Sequence, residues 1–237
     1  MTDQALSGRL ALVTGASRGI GAATAKALAA QGAHVVLTAR TASDLEQVEE
    51  AIFAAGGSAT IAPLDLAQND SIARLATALG ERWQALDILV LNAAMLGTLA
   101  AVPAFDAREL AKVLTLNISA QAALLAAFDP MMRASNDARV IALTSSVARN
   151  PRAFWGMYGA SKAAFENLVS AYGDEVGNVS KIRTAIIDPG ATRTKMREHA
   201  FPGEDPATLK SPDVVGARIA ALAITGFDSG HFERIDG

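Results

Sequence analysis

Leu10-Ala11-Leu12-Val13-Thr14-Gly15-Ala16-Ser17-Arg18-Gly19-Ile20-Gly21 is the stretch on which the reading of this chain turns. Leu10 to Thr14 is an apolar run of strand length, and Ile20 opens a segment, reaching Gln31, with the period of a helix. Between them lies a glycine-rich turn. Gly15 permits a tight bend, Gly19 lets the backbone approach a pyrophosphate, and Gly21 lets the helix pack closely on the sheet. The N–H groups and positive dipole end of that helix suit phosphate, and Ser17, Arg18 and Ile20 lie where they would share the contact. Glycines between a strand and a helix are also found in ordinary turns; the ordered strand, turn and helix favour a dinucleotide site.

Outward from this stretch the pattern repeats. Apolar runs recur at His34 to Thr38, Ala59 to Leu64, Ile88 to Leu91, Val140 to Thr144 and Arg183 to Ile187. Segments of helical length separate them: Ala42 to Ala55, Asp70 to Trp83, Ala107 to Ala134 and Ala160 to Gly177. Strands that are apolar throughout, instead of alternating, are covered on both faces. The expectation is an α/β fold, a single domain over 1–237 built on a doubly wound parallel sheet with helices on both faces. A helix near Asp213 to Ala223 and a short strand near His231 to Ile235 close it. Ligands in such sheets bind beyond the carboxyl ends of the strands, so the loops after strands are where the chemistry is sought.

Composition narrows the field. Hydrophobic residues make up 51% and charged residues 19% of 237 positions, which excludes a disordered chain, and no linker or repeat divides it. A net charge of −3 gives no electrostatic reason to expect nucleic acid or an anionic membrane as partner. There is no cysteine, which removes disulfides and thiol catalysis, and His34, His199 and His231 have no ligand spacing, so no metal site is expected. The N-terminus lacks a basic segment before an apolar one and does not read as a secretory signal. The apolar run Val113 to Phe128 is broken by Thr115, Asn117, Ser119 and Gln121 and reads as a packed helix. A cytoplasmic protein acting on a small molecule is the expectation.

The cofactor can be narrowed further. NAD sites of this type place Asp or Glu about 20 residues past the glycines, at the end of the second strand, to bind the ribose 2′-hydroxyl. Here that position reads Thr38-Ala39-Arg40. An arginine suits a 2′-phosphate through charge-assisted hydrogen bonds, and Arg18 in the turn adds a second cation. The pair favours NADP(H) over NAD(H).

Further along come Asn92-Ala93-Ala94, Asn117, Ser145, Tyr158-Gly159-Ala160-Ser161-Lys162 and Pro189-Gly190. With the glycine turn, this ordered set resembles the short-chain dehydrogenase/reductase family over nearly the whole length. The stretch from Pro189 to Pro212 resembles a poorly characterised bacterial branch of it. The resemblance implies a Rossmann-type sheet of about seven strands and a catalytic group of Asn117, Ser145, Tyr158 and Lys162, the last two also touching cofactor. It further implies contacts to the adenosine half from Asp65, Leu66, Asn92, Ala93 and Ala94, and to the nicotinamide side from Pro189, Gly190, Thr192 and Thr194. Asn117 would hold a water leading to Lys162. Two departures stand out: Ala94 replaces the usual glycine, adding a methyl on the adenine side, and the usual closing Asp-Gly-Gly is shortened to Asp236-Gly237.

These residue types suit carbonyl and alcohol chemistry. A phenol with a pKa near 10 is a poor base at neutral pH, and bringing it to about 7 takes roughly 4 kcal/mol. Lys162, four residues after Tyr158, shares its helix face and can supply part of that. Tyr158 then serves as acid in reduction and as base in oxidation. Ser145, at the end of the fifth strand, can donate to the substrate oxygen, with Ser146 as the alternative because successive strand residues face opposite ways. The predicted activity is interconversion of a carbonyl and an alcohol with NADP(H); a nucleotide sensor without turnover is the competing reading. The polar stretch 191–212 is read as a lid; Leu124, Leu125, Phe128, Phe165 and Leu168 are more apolar surface than one stripe needs, buried within the subunit or, as the family resemblance implies, packed in a homodimer or homotetramer.

Overall fold

A computed structural model describes residues 4–68 and 70–236. Gly237, and with it half of the shortened terminus, lies outside them. Seven strands form one parallel sheet: β1 (Leu10–Thr14), β2 (His34–Thr38), β3 (Ser58–Ile61), β4 (Ile88–Leu91), β5 (Arg139–Leu143), β6 (Arg183–Asp188) and β7 (His231–Arg234), in the order β3-β2-β1-β4-β5-β6-β7. The fold is the expected doubly wound Rossmann-type domain.

Its inner strands are mostly apolar because they feed two cores, whereas the edge strands β3 and β7 carry polar residues. Along β1, Ala11 and Val13 join Val35, Leu37, Val90, Ile141 and Ile187 under one helical layer. That layer is α1 (Gly19–Ala30), α2 (Ala42–Ala54) and α8 (Pro212–Thr225). The alternate residues Leu10 and Leu12 join Val36, Leu89, Leu91, Val140 and Ile186 on the other face. There they meet α3 (Ser71–Gly80), α5 (Ala120–Ala134) and α6 (Gly156–Gly177). Each covered face removes apolar area from water at about 25 cal/mol per Å², so a polar residue on either face of a central strand would be destabilising.

The strand order reverses between β2-β1 and β4, which opens a crevice at the carboxyl ends of β1 and β4. Both the glycine turn and Asn92 lie there.

Several boundaries depart from the sequence reading. The fifth strand ends at Leu143, so Ser145 lies two residues beyond it, in an extended link to a 3-10 turn at Ser146–Ala148. The third ends at Ile61, although Ala62 and Leu64 continue to donate to Leu37 and Ala39. The sixth helix begins at Gly156 instead of Ala160, which places Tyr158 in its first turn.

The segment expected as one helix from Ala107 to Ala134 is interrupted: α4 (Ala107–Leu114) passes into a π-turn (Thr115–Ser119) before α5 resumes. It is long and apolar enough to cross a membrane by length and composition. However, Leu124, Leu125, Phe128 and Met132 point into the second core. Those side chains, with Phe165, are buried inside the subunit, and Leu168 packs against them. Leu124, Leu125, Phe128 and Phe165 therefore supply no surface for a partner copy, contrary to the sequence reading, while Leu168 is half-buried. The region 191–212 carries α7 (Lys195–Ala200) and a 3-10 turn (Pro206–Thr208).

Candidate active site

Gly15 and Gly19 both have positive φ, 64° and 55°, a conformation that side-chain-bearing residues rarely adopt. Gly21 is needed for another reason: a Cβ there would run into the Gly15 carbonyl and lie 2.6 Å from Asn92 Nδ2. The first turn of α1 has no side-chain cap and no acidic residue, so its leading N–H groups face the crevice without an anion of their own. Arg18, the N-cap residue, and Arg40, just past β2, are exposed, and neither forms an ion pair among the described residues. Two unneutralised cations beside a phosphate-shaped turn fit a dinucleotide carrying an additional phosphate.

The Asn92 side chain has a structural task of its own in this crevice. Its Nδ2 donates to the Thr14 carbonyl at 2.8 Å and the Gly15 carbonyl at 3.2 Å. The backbone N–H groups of Asn92 and Ala93 donate to Thr14 Oγ1, which donates onward to the Val90 carbonyl. The Asn92 amide is thus spent on fixing the glycine turn to β4. The half-buried Ala94 follows in the same loop. Beyond β3, Asp65 accepts from Ala67 N and its carbonyl from Ser71 Oγ, while the Leu66 side chain belongs to the second core. Of Leu66 only the backbone is left to face a ligand, whereas the half-buried Asp65 keeps Oδ2 without a hydrogen bond among the described residues.

On the opposite wall, Gly190 (φ 60°) bends the chain after β6, and Thr192 Oγ1 donates to the Pro189 carbonyl at 2.9 Å. Thr194 caps α7 by accepting from Arg197 N at 3.1 Å. Its methyl group comes within 3.4 Å of where a Gly19 Cβ would stand. The base of the 191–212 segment therefore meets the glycine turn across the crevice.

Deeper in, Lys162 is 3% exposed, and its Nζ donates to the Leu143 carbonyl at 2.7 Å. Burial pulls its pKa down to about 8, with the Glu166 carboxylate pulling the other way. Its Nζ lies 5.9 Å from the centre of the Tyr158 ring. Tyr158 is 6% exposed, and burial, assisted by the Asp188 carboxylate, pushes the phenol well above its ordinary value. Among the side chains present, burial outweighs the attraction to Lys162 that the sequence suggested, and the phenol holds its proton at neutral pH.

Asn117 sits in the π-turn, fully buried. Its Nδ2 donates to the Met95 carbonyl and to Ser161 Oγ, both at 2.9 Å, and its Oδ1 accepts from Met95 N. Ser161 Oγ donates to the Tyr158 carbonyl at 2.7 Å, so Asn117 braces the turn of α6 that carries Tyr158. Both of its amide hydrogens are committed. A water leading to Lys162 would therefore not be held by the Asn117 amide hydrogens. Ser145, half-buried, has no hydrogen bond to its Oγ among the described residues, and neither has the Ser146 hydroxyl. Gly159 brings the two segments together: a Cβ there would lie 3.0 Å from the Val147 carbonyl, two residues past Ser145.

A small apolar cluster roofs Tyr158: Leu96 and Val147, with Leu99, Trp155, Met196 and Ala200 packed against them. Trp155 meets Tyr158 edge-on at 6.2 Å and Phe201 at 5.5 Å. Phe154, exposed and at φ 71°, holds the tight bend that turns Trp155 inward. Arg197 lies over Phe201 at 3.9 Å and forms a two-pronged pair with Glu204. No sequence motif marks Trp155 or Phe201; their contacts around Tyr158 bring them to the site.

The fold and this crevice define a dinucleotide-binding α/β protein. The family model for short chain dehydrogenase matches residues 9–205, and the chain belongs to that family. It is 35% identical over 210 residues to the uncharacterized oxidoreductase YciK of Escherichia coli (strain K12), covering 87% of this chain and 82% of that one. It superposes with a TM-score of 0.93 on a short chain dehydrogenase of Salmonella enterica serovar Typhi CT18, at 31% identity, covering 99% and 98% of the two chains. A chain from Escherichia coli CFT073 assigned to the same family and solved with NADPH gives a TM-score of 0.91 at 33% identity, covering 99% of each.

Proposed function

We propose that this protein is an NADP(H)-dependent oxidoreductase that interconverts a carbonyl and an alcohol, with Tyr158 exchanging the proton. The observation that carries this reading is the buried Lys162 ammonium, anchored on the Leu143 carbonyl one turn from Tyr158, at the inner end of the glycine-turn crevice. When bound, the cofactor supplies or accepts the hydride. Gly15, Ser17, Gly19, Ile20 and Gly21 would hold its pyrophosphate, and Arg18 and Arg40 its 2′-phosphate. The loops at Asp65-Leu66 and Asn92-Ala93-Ala94 would flank the adenosine half. Pro189, Gly190, Thr192 and Thr194 would flank the nicotinamide side. The NADPH-bound relative supports the choice of cofactor.

The residues then divide the work. A phenol kept protonated by its surroundings is a proton donor, which suits the direction of carbonyl reduction. The Ser145 hydroxyl, without a partner among the described residues, is free to donate to a substrate oxygen on which negative charge grows. Lys162 lowers the cost of the phenolate left behind. Asn117 serves as a brace for Tyr158 through Ser161. Met196 and Ala200 of α7 pack on the roof over Tyr158, which supports the reading of 191–212 as a lid that excludes water.

The test is a screen of aldehydes, ketones and alcohols, with the wild type and Tyr158→Phe, followed at the nicotinamide absorbance band. The variant is expected to bind NADPH as the wild type does and to lose about 10²-fold or more in kcat. Undiminished kcat in Tyr158→Phe rejects the assignment; NADPH binding with no turnover of any substrate would make the protein a nucleotide sensor. Assembly as a homodimer or homotetramer is proposed on family membership alone, and light scattering showing only monomer would overturn it.

A further inference from the structure

One turn past Lys162 on α6 lies an acid that the chemistry above does not use. Glu166 is 9% exposed, and both of its oxygens are engaged. Oε1 accepts from Thr144 Oγ1 at 2.6 Å, and Oε2 accepts from Arg149 Nε at 2.7 Å. Thr144 is the residue between Leu143, whose carbonyl takes the Lys162 ammonium, and Ser145. Arg149 follows the 3-10 turn after Ser145, and its guanidinium lies 3.5 Å from the centre of the Phe232 ring of β7.

A carboxylate withdrawn from water is costly unless its charge and lone pairs are met, and an apolar side chain would fill the same space without that cost. Here two residues of the stretch that follows β5, Thr144 and Arg149, are tied to one carboxylate on the helix that bears Tyr158 and Lys162. We propose that Glu166 is a positioning residue of the active site: it clamps the Ser145 strand end to α6 and sets a negative charge one turn from the Lys162 ammonium. The catalytic consequence rests on the oxidoreductase reading above; the clamp and the charge effect do not.

The ionisable groups around Lys162 can be enumerated. Tyr158 and Glu166 share its helix, Asp188 at the end of β6 acts on Tyr158, and Arg149 stands beyond Glu166. Tyr158 is neutral, so Glu166 is the anion that opposes burial at Lys162. Arg149 partly neutralises that anion from a side chain that is 48% exposed.

The experiment is an NMR pH titration of the full chain labelled with ¹³Cε-lysine, with the Lys162 resonance assigned by its loss in Lys162→Met. In Glu166→Gln the Lys162 midpoint should fall by about one pH unit, the lower end of what an adjacent opposite charge contributes. In Arg149→Gln, which unmasks the Glu166 charge at a half-exposed site and should fold normally, the midpoint should rise. Opposite shifts support the proposal; a midpoint unmoved in Arg149→Gln, or unmoved in a folded Glu166→Gln, overturns it, since lost packing alone would not displace it in opposite senses. Once a substrate is known, the high-pH limb of kcat should follow the same displacements. If the midpoints move while Tyr158→Phe retains activity, the oxidoreductase reading fails and the charge coupling stands.

Discussion

Replacing Lys162 with methionine should make the protein more stable at neutral pH, and by an amount that depends on pH in a calculable way. The side chain is 3% exposed, and burial brings its pKa from the ordinary 10.5 down to about 8. A lysine whose folded pKa is depressed binds fewer protons in the native than in the unfolded chain between those two values. Stability therefore rises with pH across that window, and the full penalty is present below about pH 8. At 1.36 kcal/mol per pH unit the penalty is about 3 kcal/mol at pH 7 and below about 1 kcal/mol at pH 10. Lys162→Met removes it at every pH. The substitution also leaves the Leu143 carbonyl without its donor, at a cost of about 1–3 kcal/mol, but that cost is the same at both pH values. The quantity to measure is therefore the change with pH in the gap between variant and wild type. Urea unfolding, followed by Trp83 and Trp155 fluorescence at constant ionic strength, should show the gap shifting in favour of the wild type by about 2–3 kcal/mol from pH 7 to pH 10. A gap that stays constant would refute the view that the fold carries a buried ammonium as a functional cost.

Two further outcomes follow from the cofactor crevice. Gly21→Ala forces a methyl onto the Gly15 carbonyl and the Asn92 amide, so unfolding free energy should fall by about 1–3 kcal/mol and NADPH affinity at least about tenfold. Gly203→Ala, where an added Cβ meets nothing within 4 Å, is the matched control; equal behaviour of the two variants by calorimetry and fluorescence titration would show that the turn is not constrained as described. Arg40→Asp exchanges a cation for a carboxylate at the end of β2 and should shift the ratio of kcat/KM for NADPH over NADH toward NADH by about tenfold or more, measured side by side with one substrate. An unchanged ratio would mean that Arg40 does not reach the 2′-phosphate.

Much of the fold was legible from Leu10 to Gly21 and its echoes, because continuous apolar runs have one economical solution, a sheet covered on both faces. The glycines were legible too: a positive φ or a contact that admits no Cβ excludes nearly every other residue. Tyr158 and Lys162 could be paired by their spacing alone, since four residues along a helix is a spatial statement. Local pattern could not reveal the π-turn, because its apolar period continues through Thr115–Ser119, and what shapes the turn is a set of hydrogen bonds from Asn117 to Met95 and Ser161, 22 and 44 residues away. The same holds for Asn92, whose amide is consumed by Thr14 and Gly15 from another strand.

By itself, then, the sequence determined the layered sheet, the phosphate-shaped turn with its two arginines, and the presence of a phenol and an amine at helical distance. All of these depend on chain-local geometry and side-chain chemistry. Only the tertiary structure decided how those groups are charged and supported. The neutrality of Tyr158, the lowered pKa of Lys162 and the clamp from Glu166 to Thr144 and Arg149 come from desolvation and from partners brought together by the crossovers of the chain. The strength of an electrostatic interaction is set by the surroundings of the groups, and those surroundings exist only after folding.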